Sequence, residues 1–222
     1  MENPNLPNCT RANTYSGIGD DGVLHVRVVI DDSVYDNNDV TGISADMFDV
    51  LDCWNGISSK VQVHLPGDTD VPENAVVVTF YGENFYERLE GEPLEERILT
   101  RYIYAETSWT TQYIDGEGSR PPMYGEEITG AKVILNIDSE CFIYRNDDTK
   151  FEEVRATIAH EMGHVLLLKH PFESGYCPNS ENGAGNYTVL SIMNQGGYTD
   201  NRYVTIAPSA HDKYFLILKW GE

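Results

Sequence analysis

Residues 160–170 read His-Glu-Met-Gly-His-Val-Leu-Leu-Leu-Lys-His, and the reading of the whole chain turns on them. His160 and His164 are four residues apart. On an α-helix this spacing stacks both imidazoles on one face, where they can grip a single ion. Glu161, one residue on, is rotated by about 100°. From there it can reach a water on that ion without becoming a ligand. His170 lies six residues past His164, so a sharp turn after about Leu166 is needed to bring it back as a third ligand. Three neutral nitrogen donors leave a fourth position open, which is the pattern of a catalytic zinc and not of a structural one. The plainer alternative is a helix carrying inert surface histidines.

The surrounding residues favour a helix. Thr149 and Glu152 form a T-x-x-E capping box, and Phe151, Val154, Ile158, Met162 and Val165 recur at helical spacing. The helix should stop before Pro171. Upstream, Val23–Ile30 alternates as a strand with one wholly apolar face. Ser44 can cap a helix whose apolar face is Met47, Val50, Leu51 and Trp54, with an exit at Gly56. Residues 61–65, 75–81, 98–105 and 131–137 read as further strands. Residues 84–96 read as a surface excursion and 109–130 as a long polar loop, with Pro121-Pro122 inside it. Downstream, 175–197 is loop-like, and Ser209-x-x-Asp212 opens a last amphipathic segment ending at Trp220. Strands with one helix, then a long helix and a loop-rich end, make an α+β protein.

Composition limits the partners. The 222 residues suit one domain: a 1–19 extension, an upper lobe over 20–170 and a lower lobe over 171–222. Against 36 Asp+Glu stand 15 Lys+Arg, a net charge of −21. Such a surface repels phosphates, so nucleic acids and anionic membranes are disfavoured as partners. No apolar run reaches the roughly 20 residues that span a bilayer, and residues 1–10 do not read as an export signal. Low Lys, many Tyr and Asn and strong acidity lean toward a secreted or cell-surface protein, and a monomer is expected. Cys9, Cys53, Cys141 and Cys177 allow three disulfide pairings and contain no CxxC. Asp31, Asp32, Asp36 and Asp39, or the run Asp115-Gly116-Glu117-Gly118, offer oxygen ligands for Ca2+, although neither is an EF-hand and solvated acidic turns explain both. His25, His64 and His211 look scattered, with core or surface roles.

The motif His160-Glu161-x-x-His164-x-x-x-x-x-His170, followed by Ser191-Ile192-Met193-Asn194, resembles the metzincin zinc metallopeptidases, and the Gly163 and Ser-Ile-Met strings are most similar to the matrixin branch. The resemblance implies a zincin-like α+β fold: a twisted mixed sheet, an active-site helix and a small C-terminal lobe. It implies an endopeptidase acting on extended peptides. His160, His164 and His170 would bind zinc, and Glu161 would be the general base for the attacking water. Met193 would be a hydrophobic floor under the metal. An edge strand near Tyr104 and Ala105 would pair with substrate, and Asn194–Tyr198 would wall the pocket. One departure is clear. The family's glycine after the second histidine is Leu167 here. That glycine turns the chain with φ > 0, and a leucine there should cost about 1–2 kcal/mol. Leu167 therefore leaves two alternatives open, Glu173 as third ligand in place of His170, and a metal-binding interaction module without turnover. Cys9 invites comparison with an inhibitory propeptide cysteine, but the surrounding motif is absent.

Overall fold

Alternating apolar residues build a six-stranded sheet in the computed structural model, which describes residues 10–11, 13–34, 43–93, 105–111, 126–137, 147–171, 191–194 and 207–222. Its strands are β1 (Thr14–Tyr15), β2 (Leu24–Ile30), β3 (Val61–His64), β4 (Val76–Glu83), β5 (Ala105–Thr111) and β6 (Glu127–Asn136). The order is β1-β6-β4-β2-β3, all parallel, with β5 running antiparallel along β6. The sheet is thus mostly parallel with one reversed strand, and at this level the α+β expectation is met.

Period-two patterning explains which side is covered. Leu24, Val26 and Val28 of β2 are buried, as are Val76, Val78 and Phe80 of β4, while Val29 and Val77 on the opposite face are exposed. Helix α1 (Ile43–Asp52) and the long helix α3 (Asp147–Val165) share one core cluster with the inward residues. Trp54, fully buried just past α1, donates its indole N–H to the Ala159 carbonyl of α3 at 3.1 Å. Burying an indole satisfies its one donor only where such a carbonyl is available.

The ends of the described chain are joined to this core. The stretch read as an extension contributes β1, and Tyr15 donates its hydroxyl to the Val165 carbonyl at 2.8 Å. Thr10 bridges to Leu168. The last helix, α4 (Ala210–Trp220), begins with a capping box between Ser209 and Asp212, as its sequence signals. Lys219 reaches across to the Arg11 and Asn13 carbonyls at 2.9 and 2.6 Å, and Trp220 donates to the Leu166 carbonyl at 3.0 Å.

Several sequence expectations need correcting. The long loop expected over 109–130 is shorter, because β5 continues through Trp109 to Thr111 and β6 begins at Glu127. The Gly- and Pro-rich middle concealed β-branched ends that pair in register, Trp109 with Ala131 and Thr110 with Gly130. The surface excursion at 84–96 contains a short helix, α2 (Phe85–Arg88), capped by Asn84 and anchored by fully buried Phe85. Helix α1 begins before Ser44, and α3 begins at Asp147, so neither Ser44 nor Thr149 is the cap. Cys53 is a free thiol, and burial pushes it up to about 12, so it stays protonated. Cys9, Cys141, Cys177, Asp36, Asp39, 98–104 and 115–118 lie outside the described residues. Among the described residues, no helix is long and apolar enough to cross a membrane.

Candidate metal centre

Helix α3 supplies the first two candidate ligands. His160 and His164 are buried, with ring centroids 4.7 Å apart and planes nearly perpendicular. The third depends on how the helix ends. The Leu167 N–H reaches the His164 carbonyl at 2.9 Å, and the Leu168 N–H reaches the Gly163 carbonyl at 3.0 Å. This is a Schellman motif with Leu167 at its left-handed position, φ 67°. The chain reverses there and returns His170 to the helix. His170 Nε2 lies 3.1 Å from His160 Nε2 and 3.0 Å from His164 Nε2.

The sequence raised Leu167 as the weak point of this turn, and the magnitudes show why leucine is tolerated. Left-handed backbone costs about 1–2 kcal/mol. Leu167 is fully buried, and truncating a buried leucine costs about 2–5 kcal/mol. Burial outweighs strain. We therefore expect Leu167→Gly to destabilise the metal-free chain by about 1–3 kcal/mol although it relieves the backbone. Urea unfolding checks this; a more stable variant would show that strain dominates.

Both helical ligands have fixed rings. His160 Nδ1 faces the Ile192 carbonyl at 2.7 Å, and His164 Nδ1 faces the Leu168 carbonyl at 3.0 Å. A carbonyl accepts only, so each Nδ1 carries the proton and each Nε2 keeps its lone pair. Burial, and then the neighbouring imidazoles, hold the His164 pKa well below its usual value, so that ring is neutral near pH 7. Three buried nitrogens within 4.8 Å of one another, in ligand tautomers, fit a metal ion. The donor set does not by itself name the metal.

Glu161 points from the same helix toward β5. The Thr107 hydroxyl donates to Glu161 Oε2 at 2.5 Å. Burial pushes this carboxyl up to about 7; the Thr107 hydrogen bond works against that shift, and the nearby Glu106 charge adds to it. Glu106 itself is paired with Arg88, whose two guanidinium nitrogens lie 3.2 and 3.0 Å from its carboxylate.

Met193 packs beneath the helix at the one place where α3 has no side chain. A Cβ added at Gly163 would lie 2.3 Å from Met193 Sδ and 3.1 Å from Trp54. The turn holding Met193 hangs on α4. Buried Asp212 accepts from Ser191 Oγ at 2.5 Å, from the Ile192 N–H at 2.9 Å, and from Ser209 N–H and Oγ at 2.8 Å each. The Ile192 backbone is therefore gripped at its N–H by Asp212 while its carbonyl orients His160.

The structure thus brings together His160, Glu161, His164, His170 and Met193, places Ala105 at the start of β5, which among the described strands pairs with β6 alone, and sets half-buried Asn194 just after Met193. Tyr104, Tyr198 and Glu173 lie outside the described residues. Sequence reading missed Thr107, Asp212 and the Ile192 carbonyl as supports. Asp212 carried only a helix-start signal, and nothing local linked it to Ser191. His25 and His64, read as scattered, are in contact. No protein-family model matches the chain, and no curated protein matches it in sequence.

Proposed function

We propose that the chain is a zinc-dependent endopeptidase of metzincin type, cleaving extended peptides. The observation that carries this reading is the convergence of three buried imidazole nitrogens at a helix that also carries Glu161, whose carboxylate Thr107 of β5 holds in place. Three protein nitrogens with no fourth protein ligand among the described residues fit a catalytic metal better than a structural one.

His160, His164 and His170 would hold the ion. Zinc there supplies Lewis acidity toward a scissile carbonyl and lowers the pKa of a water toward about 7. Glu161 takes a proton from the attacking water and later passes it to the leaving amine. Thr107 occupies Oε2 and fixes the carboxylate, leaving Oε1 as the oxygen that would take the proton. Among the described strands β5 pairs with β6 alone, and its other side would offer backbone groups to an extended peptide, which would add to the sheet as a further strand. Met193 fills the space below the ligands and keeps the helix and the turn at a fixed spacing. Leu167 had favoured a metal-binding module without turnover; it adopts the turn that His170 requires, so it no longer speaks for that reading.

Unfolded casein tests the proposal. We expect cleavage that stops with a chelator and returns when zinc is added. Cleavage that persists in the chelator, or never occurs with zinc bound, would rule it out.

A further inference from the structure

A second histidine pair lies on the sheet face that α1 and α3 leave uncovered. In β2 the inward residues are Leu24, Val26 and Val28, so His25 and Arg27 point the other way. In β3 the register pairs Val63 with Val26 and His64 with Arg27, which puts His64 on the same outer face as His25. Their rings stack with centroids 5.2 Å apart, and His25 Nδ1 is 2.9 Å from His64 Nε2.

The pair is built into its surroundings. Asp21 Oδ2 is 3.1 Å from His25 Nε2, while Asp21 Oδ1 accepts the Val23 N–H at 2.9 Å. Those two donors also hold the Asp21 carboxyl below the usual carboxylate range. An ionised Asp21 draws the His25 proton to Nε2, which leaves the Nδ1 lone pair aimed at His64. A carboxylate on the far nitrogen of an imidazole is the usual support of a metal-ligating histidine. Asp68, in the turn that follows β3, places a further negative charge near His64.

We propose that His25 Nδ1 and His64 Nε2 chelate a second divalent transition-metal ion, with Asp21 orienting His25. Metal–nitrogen bonds of about 2.0–2.1 Å drawn from atoms 2.9 Å apart meet at about 90°. That angle suits the tetragonal coordination of Ni2+ or Cu2+. Binding requires only that His64 carry its proton on Nδ1. The rings keep 14% side-chain exposure at His25 and 8% residue exposure at His64, so water can complete the coordination. The bound ion would staple the edge strand β3 to β2. This inference does not depend on the peptidase reading.

Equilibrium dialysis of the full chain against Ni2+ tests it. The parent should bind two ions. Replacing His160 and His164 by alanine should leave one, and that ion should raise the melting temperature. Adding His25→Asn, or His64→Gln should the first variant fail to fold, should remove both the ion and the shift. If the His160/His164 variant cannot be purified folded, the count on the parent against single His25→Asn decides, two falling to one. An ion count on the parent that neither His25→Asn nor His64→Gln lowers overturns the proposal, whichever number of ions the parent binds.

Discussion

Glu161→Gln is expected to lower the rate of peptide-bond hydrolysis by about a thousandfold or more while the metal remains bound. The amide keeps the shape of the carboxyl and an oxygen for the Thr107 hydroxyl, so the helix and the three imidazoles keep their places. It cannot take a proton from water near neutral pH. General acid–base catalysis contributes about 10²–10⁴ in rate, and one residue here would serve both the attack and the departure of the amine. The comparison is kcat/KM on an unfolded substrate beside a metal count on the same sample. A variant that cleaves like the parent removes Glu161 from the chemistry. A variant that loses its metal gives Glu161 a structural part instead.

The second large effect concerns a residue that touches neither the ion nor the substrate. Asp212→Ala strips the acceptor from the Ile192 N–H, the Ser209 N–H and two hydroxyls in a buried position. Leaving a buried donor without its acceptor costs about 1–3 kcal/mol, and several are orphaned here at once. The Ile192 carbonyl, no longer held, ceases to fix the His160 ring, and losing an outer partner of this kind lowers metal affinity about 10–100-fold. Competition against a chromophoric chelator reads the affinity, and urea unfolding of the metal-free chain reads the stability. Affinity within twofold of the parent would show that the turn does not depend on α4. Asp212→Asn should fall between, since one oxygen remains to accept.

Much of this was legible in the order of residues. The spacing of His160, His164 and His170 predicts a convergence that the structure displays, a period-two run found β2, and short apolar runs found the cores of β3, β4 and β6. Local pattern fixes which way a side chain points along its own element. It does not say which elements become neighbours. Thr107 meets Glu161 across 54 residues, and His160 meets the Ile192 carbonyl across 32. His25 and His64 meet because two parallel strands pair in one register, and a shift of one residue would have turned the rings to opposite faces. The end of β5 was hidden for another reason: Thr107, Ser108, Thr110 and Thr111 leave Trp109 as the one large apolar residue there, and the Gly- and Pro-rich run beyond them dominated the reading. Leu167 looked like an obstacle because its backbone cost can be read locally, whereas the burial that offsets it arises only in the assembled core.

The near-contact between the bare backbone at Gly163 and Met193 Sδ has a consequence for descent. These two positions, 30 apart in the chain, draw on a single allotment of volume hemmed in by Trp54. A lineage that gains a methyl group at 163 must lose bulk at 193 or let the floor drop away from the helix. Relatives of this chain should therefore vary at the two sites together, and a swap at either one alone should be rare among functional sequences.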